Sequence, residues 1–143
     1  MKLQQLSVFL ENKPGQLKMA CELLAREKIN ISALTLADTK EFGILRLLIR
    51  DWERAQSVLE KGGFVVKGTE VLAVEVANRP GGLAELLAPI EKANLNIEYM
   101  YAFGTGSKSK AVMIFRFQDA DRAIAILQSA GVNMVSSVEL LGQ

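Results

Sequence analysis

"FLENKPGQLKMACELLAREKINI" at residues 9–31 and "VANRPGGLAELLAPIEKANLNI" at residues 76–97 spell one pattern twice. Each stretch contains the motif Asn-(Lys/Arg)-Pro-Gly-x-Leu, in which x is any residue. The motif is followed by apolar residues at helical spacing and then by Asn-Ile. Matching positions lie 66 residues apart here and 68 apart later in the chain, as between Asp51 and Asp119. A shared offset across so many Asn, Pro and Gly positions indicates an internal duplication.

The first copy predicts six elements in the order strand, helix, strand, strand, helix, strand. Apolar residues alternate with polar ones at Leu6, Val8 and Leu10, which is typical of a strand. The helix that follows is indicated by apolar residues at three- and four-residue spacing, with Pro14 in its first turn. The expected bounds are strand 3–10, helix 14–28, strands 30–37 and 43–50, a helix from Trp52 that Asp51 caps, and a closing strand 64–66.

The second copy predicts the same order of elements. Its expected bounds are strand 71–77, helix 80–93, strands 96–103 and 111–117, helix 119–130 and strand 134–141. The order βαββαβ is the ferredoxin-like arrangement, an α+β fold in which a four-stranded antiparallel sheet carries two helices on one face. We therefore expect two such units, at 1–68 and 69–143. The two extra residues of the second copy fall in "GTGSKSK" (104–110), where we expect a hairpin loop, since the spacing of a phosphate-binding loop is absent.

Composition excludes several classes of function. The 143 residues include 17 basic and 16 acidic residues, so nothing indicates a nucleic-acid or anionic-membrane surface. The absence of histidine and the single cysteine, Cys21, exclude Ser-His and Cys-His catalytic pairs and a zinc site. We expect no enzyme, no metal and no cofactor. The lone cysteine, the lack of a signal peptide and the lack of a long apolar run predict a cytoplasmic protein without a membrane span.

The element order and the repeated turn together resemble a known family. βαββαβ units with Asn-(Lys/Arg)-Pro-Gly-x-Leu after the first strand and Asn-Ile at the second strand are similar to ACT domains, and the whole chain resembles small proteins made of two ACT domains. The resemblance implies a non-catalytic regulatory protein that binds a small ligand, usually an amino acid, at an interface between ACT units. It further implies a homodimer and a separate enzyme or transporter as the regulated target.

The resemblance also implies where the ligand binds. In serine-responsive members the ligand contacts an Asn just before Pro-Gly and an Asn at the start of the second strand. Those members have a His two residues before the first Asn, where this chain has an apolar residue, so we expect a more apolar amino acid than serine. The candidate ligand-binding residues are Leu10, Asn12, Pro14, Gly15, Gln16, Leu17, Asn30 and Ile31 in the first copy, and Val76, Asn78, Pro80, Gly81, Gly82, Leu83, Asn96 and Ile97 in the second.

The chemistry of these residue types suits an amino acid. The start of a helix receives a carboxylate, and a glycine there leaves room for it to approach. An asparagine can both donate and accept hydrogen bonds, so it can contact a zwitterion without adding charge. The alternative is that the asparagines only form turns and caps, and that the chain is a protein-interaction or dimerisation module without a small ligand. At the level of sequence both interpretations stay open.

Overall fold

The computed structural model describes residues 1–38, 42–103 and 110–142. Its elements are β1 (Leu3–Glu11), α1 (Gln16–Arg26), β2 (Ala33–Asp38), β3 (Phe42–Leu48), α2 (Trp52–Lys61), β4 (Val65–Ala77), α3 (Gly82–Lys92), β5 (Ile97–Ala102), β6 (Lys110–Phe117), α4 (Ala120–Ser129), β7 (Met134–Val135) and α5 (Ser137–Leu141). The hairpin loop expected at 104–110 lies outside the described residues except for Lys110, which begins β6.

The chain divides into two units that correspond to the two copies. The first unit contains Gln4–Thr69 and the C-terminal residues from Leu141, and the second contains Met1–Leu3 and Glu70–Leu140. In the first unit the strand order is β2-β3-β1, and in the second it is β4-β6-β5 with β7 beside β4; the pairs are antiparallel. The predicted α+β fold of two ferredoxin-like units is therefore confirmed.

Each unit packs its two long helices on an apolar sheet face. In the first unit the predicted alternation holds, because the side chains of β1 and β3 that share one face are buried against α1 and α2. This core contains Leu6, Val8, Leu10, Leu45, Leu47, Ala20, Leu24, Ala55 and Leu59. The core of the second unit contains Leu72, Val74, Val76, Phe115, Phe117, Leu86, Ile90, Ala123 and Leu127. The ring centroids of Phe115 and Phe117 lie 5.4 Å apart in a stacked arrangement.

One continuous strand replaces the two short strands predicted at 64–66 and 71–77. β4 runs without a break for 13 residues, so the separation expected between them is wrong. Gly68 lies within this strand, but its backbone is not in the left-handed region, and a glycine in an extended conformation does not interrupt a strand. The boundary between the two units falls within this strand.

The closing strand predicted at 134–141 is also wrong. β7 has only two residues and is followed by the short helix α5. The hydroxyl of Ser136 accepts a hydrogen bond from the backbone N–H of Glu139 at 3.2 Å and donates one to the Glu139 carboxylate at 3.2 Å. Ser136 therefore acts as the N-cap of α5 through its hydroxyl, which starts a helix and so ends the strand.

Candidate functional site

The repeated Pro-Gly dipeptide forms a type II turn. In the first copy the backbone N–H of Gln16 donates to the carbonyl oxygen of Lys13 at 3.4 Å. Pro14 is the second residue of this turn, and Gly15 is the third, with φ 92° and ψ −16°. A type II turn requires a positive φ at the third position, which glycine adopts without strain. Consequently α1 begins at Gln16, and the prediction that it begins at Pro14 is wrong.

The second copy forms the same turn. The backbone N–H of Gly82 donates to the carbonyl oxygen of Arg79 at 3.0 Å, and Gly81 has φ 84° and ψ −9°. α3 therefore begins at Gly82 and not at Pro80 as predicted. The geometry of the turn alone accounts for the Pro-Gly pair, so the repeated dipeptide is a requirement of the scaffold in both copies.

The turn leaves the first residues of each helix open. Gly15 and Gly81 occupy the N-cap positions of α1 and α3, and neither helix has a side-chain cap among the described residues. Nothing in the described chain lies within 4 Å of where a Cβ would stand on either glycine. The N–H groups of Gln16 and Gly82 donate within the turns. The next N–H groups of a first helical turn lack intrahelical partners and carry partial positive charge, so both helix starts can receive a carboxylate.

The two predicted asparagines of each copy lie at opposite ends of a helix. Asn12 and Asn78 are exposed and precede the turns, whereas Asn30 and Asn96 are exposed and follow α1 and α3. α1 has 11 residues and therefore spans about 16 Å. A single unit thus does not bring its two asparagines together.

The other predicted site residues divide between the core and the turn. Leu10 and Val76 are 3% and 4% exposed and belong to the two cores, so the positions that match the histidine of serine-responsive proteins carry core side chains. Ile31, Ile97 and Leu83 are half-buried and pack against the cores, whereas Leu17 is exposed. Pro14, Gly15, Pro80 and Gly81 are exposed in the turns, Gln16 is half-buried and Gly82 is buried.

A cavity of about 400 Å³ lies beside the turn of the first unit, and we call it the first turn cavity. Residues from four separate parts of the chain line it: Phe9, Glu11, Gln16, Met19, Phe42, Gly62, Gly63, Phe64 and Val65. Of the predicted site residues only Gln16 is among them. The other lining residues could not be predicted from the sequence, because they are distant in sequence and meet only where β1 ends and α1, β3 and β4 begin.

The second unit has a cavity of about 340 Å³ in the corresponding place, the second turn cavity. It is lined by Glu75, Val76, Ala77, Gly82, Glu85, Leu86, Lys110, Gly131, Val132 and Asn133. At the offsets of the duplication Glu75 corresponds to Phe9, Lys110 to Phe42 and Asn133 to Val65. The two copies therefore keep the cavity but have changed the side chains around it.

A second pair of cavities, the helix-end cavities, lies where α1 and α3 end. The one in the first unit has a volume of about 660 Å³ and includes Asn30. Arg54 there donates to the carbonyl oxygen of Glu27 at 2.7 Å and so caps the C-terminus of α1. Asp51 makes no capping hydrogen bond to α2, contrary to prediction, and instead lies 3.8 Å from the Arg54 guanidinium.

The helix-end cavity of the second unit has a volume of about 630 Å³ and includes Asn96. Arg122 donates to the carbonyl oxygen of Ala93 at the end of α3, as Arg54 does in the first unit. Asp119 caps α4 by accepting a hydrogen bond from the backbone N–H of Arg122 at 3.0 Å. Nearby, a hydrogen bond from Lys2 to Asp121, at 2.8 Å, raises the pKa of the lysine. Arg54, Arg122 and Asp119 thus hold helix ends in place in these cavities.

The part of the chain that the structure describes contains neither a cluster of metal ligands nor a membrane-spanning helix. Within the described ranges, no three His, Cys, Asp or Glu side chains come close enough together to hold a metal ion. None of the described helices is long and apolar enough to cross a membrane.

Comparison with known proteins gives a consistent result. A family model described as an ACT domain pair matches residues 1–142. The chain is similar to the crystal structure of protein BT0572 from Bacteroides thetaiotaomicron, with 36% sequence identity and a TM-score of 0.90 over 98% of this chain and 96% of that one. Comparison with curated proteins found no match.

Two regulatory subunits of aspartate kinase share the fold at lower identity. The ligand-free subunit from Thermus thermophilus is 15% identical, with a TM-score of 0.64 and 90% of each chain covered. The subunit from Thermus flavus is 17% identical, with a TM-score of 0.62 and coverage of 87% of this chain and 88% of that one.

Proposed function

This chain belongs to the family of ACT domain pairs, and from that premise we propose that it is a non-catalytic regulatory protein that binds an amino acid beside the repeated turn. The ACT domain pair is a regulatory type of domain that typically binds amino acids. The family supports the proposed class of function, and the geometry of the turn supports the proposed location of the site.

The observation that carries the proposal is the glycine at each helix start. Gly15 and Gly81 remove the side chain that would otherwise cap α1 and α3, and the space in front of both is open. An uncapped helix start attracts an anion, and a cavity of a size that suits a small molecule lies beside each turn. The ligand carboxylate is proposed to contact the first backbone N–H groups of a helix.

The asparagines complete the proposed site. Asn12 and Asn78 stand at the entrance of the turns, where their amides can contact the carboxylate or ammonium group of a ligand. Because α1 and α3 separate them from Asn30 and Asn96, we propose that these two come from a second copy of the chain in a homodimer. Ligand binding would then favour one state of the dimer and so regulate a target enzyme or transporter.

Titration calorimetry with each of the twenty amino acids tests the proposal. We expect at least one to bind at millimolar concentration or below, and no heat with any of them would contradict amino-acid binding. The double variant Asn12→Ala and Asn78→Ala should weaken binding by about fivefold or more, because each lost hydrogen bond contributes about 1 kcal/mol. Ser129→Ala, at the exposed end of α4, is the matched control and should leave the affinity unchanged.

The same calorimetry distinguishes an amino-acid-binding protein from an interaction module without a small ligand. An interaction module without a ligand predicts an oligomeric state that no amino acid alters, together with the absence of heat. Sedimentation velocity with and without the best ligand measures the oligomeric state directly. A change in that state on addition of the ligand supports regulation through the dimer.

A further inference from the structure

We infer that the two turn cavities are not equivalent: the first binds an amino acid with a large apolar side chain, and the second does not, so that each chain binds one such molecule. This inference rests on the proposed function and concerns the same turn. It follows from a comparison of the two cavities residue by residue.

The walls of the first turn cavity are apolar and accessible. Phe9, Phe42 and Val65 are 40%, 53% and 67% exposed, and Met19, also in the wall, is 49% exposed. Large apolar side chains that are this exposed and meet around one concavity mark a binding surface. An apolar side chain of a ligand would remove part of this surface from water, which favours binding.

The rim of the first turn cavity carries the charges that a zwitterion needs. The carboxylate of Glu11 lies 3.1 Å from the Lys13 ammonium, and both side chains are more than half exposed. Exposed ion pairs of this kind contribute little stability, so a ligand can replace them. Glu11 can then accept hydrogen bonds from the ligand ammonium, while Lys13 and the start of α1 after Gly15 face its carboxylate.

In the second turn cavity, charged side chains that form ion pairs with neighbouring residues stand where the first has apolar ones. Glu75 lies 3.3 Å from Lys110 and accepts a hydrogen bond from the side chain of Asn133. Glu85, which takes the place of Met19, lies 2.6 Å from Arg79. At these positions the wall is therefore polar and its charges are paired, whereas its other side chains are apolar.

The rim of the second turn cavity has also lost its acceptor. Ala77 stands where the first copy has Glu11. An apolar ligand side chain would meet Glu75, Glu85 and Lys110 there and would separate these charges from water, which is unfavourable. The second turn cavity thus differs from the first at two separate places, in the side chains of its wall and at its rim.

A second copy of the chain is the other candidate occupant of the apolar wall. The charges argue against it, because the centre of a protein interface is depleted in charged residues, whereas Glu11 lines the same concavity and Lys13 lies beside it in an ion pair. The combination of an apolar wall, a carboxylate and an uncapped helix start suits a small zwitterion.

The test exchanges the diverged residues. Calorimetry of the unmodified protein should show that Leu, Ile, Met or Phe binds with one molecule per chain, and that Ser, Asp and Lys bind at least tenfold more weakly. The double variant Phe9→Glu and Phe42→Lys places the ion pair of the second copy in the first turn cavity and should weaken binding at least tenfold. Val65→Asn, at a side chain that is 67% exposed, is a milder variant in the same direction.

The matched control is Glu75→Gln with Lys110→Met in the second turn cavity, and its affinity should stay within twofold. Thermal melting of each variant shows that it is folded. If no amino acid binds the unmodified protein, the proposed function fails and the inference with it. If an amino acid binds but prefers the polar class, occupies two sites per chain, or depends on Glu75 and Lys110 and not on Phe9 and Phe42, the inference alone is overturned.

A dimer that dissociates on Phe9→Glu with Phe42→Lys, in the absence of ligand and with amino-acid affinity retained, also overturns the inference, since the wall would then be an interface between copies.

Discussion

A Cβ atom on Gly82 would collide with the carbonyl oxygen of Ala77. Gly82 is buried at the first position of α3, so the end of β4 approaches the start of the helix as closely as a glycine allows. The first copy has Gln16 at the corresponding position, half-buried, where its side chain lines the first turn cavity. The second copy thus has no room for a side chain between the strand end and the helix start, whereas the first copy holds the side chain of Gln16 at this position.

Gly82→Ala should destabilise the protein. The added methyl group meets backbone atoms, which cannot move aside as a flexible side chain can, so we expect a loss of about 1–3 kcal/mol in the free energy of unfolding. Urea unfolding followed by circular dichroism measures it. Gln16→Ala is the matched control and should change the free energy by less than about 0.5 kcal/mol, since the position already carries a Cβ. Equal effects at the two positions would contradict the close approach.

The turn glycines have a different sensitivity, because they require a backbone conformation and not space. Gly15→Ala or Gly81→Ala should each cost about 1–2 kcal/mol through the positive φ, although the new methyl group would contact nothing. Gly15→Asn should cost less than Gly15→Ala, since asparagine tolerates the left-handed region. Gly68→Ala, at a glycine without a positive φ, is the control. Indistinguishable unfolding curves for Gly15→Ala and Gly15→Asn would contradict the assigned turn.

The arginine caps make a third prediction. Arg54 and Arg122 donate to carbonyl oxygens at the ends of α1 and α3. Arg122→Ala should therefore lower the free energy of unfolding by about 1 kcal/mol, the net contribution of such a hydrogen bond. Arg26→Ala removes only an exposed ion pair to Glu22, 3.7 Å long, and should have almost no effect. An Arg122→Ala protein as stable as the unmodified one would show that the cap contributes nothing.

The sequence predicted those parts of the fold that depend on local patterns. The alternation at Leu6, Val8 and Leu10 is reproduced in the core, and the repeated Pro-Gly marks a real turn in both copies. The sequence-based prediction failed where a local pattern was ambiguous: residues 67–70 were interpreted as a connection within what is one strand, and the N-cap at Ser136 was interpreted as part of a strand. At Ser136 the hydrogen bonds of the hydroxyl with Glu139 decided in favour of a helix.

The candidate site was harder to predict for a physical reason. Asn12 and Asn30 look like a pair in sequence, yet a helix of about 16 Å holds them apart. Phe9, Phe42 and Val65 look unrelated, yet they surround one cavity. A signal was present, because all three differ in chemical class from their counterparts at the offsets of the duplication. Only the arrangement of the strands shows that the three residues surround the same cavity, so the sequence alone does not identify them as one site.

Complementation between two defective chains tests whether the asparagines act across a dimer. In a symmetric dimer each site would take one asparagine from the turn of one chain and one from the strand start of its partner. Neither the Asn12→Ala, Asn78→Ala chain nor the Asn30→Ala, Asn96→Ala chain should then bind the ligand well alone. Mixed under conditions that allow the chains to exchange, they should recover part of the binding, because a mixed dimer has intact sites.

Calorimetry of the mixture against the two separate proteins measures this recovery. The control mixes the Asn12→Ala, Asn78→Ala chain with itself under the same exchange conditions, and it should recover nothing. Recovery in the mixture assigns the four asparagines to sites shared between copies. No recovery, with exchange of the chains verified by a mass-tagged subunit, would place both asparagines of each site in one chain and contradict the shared site.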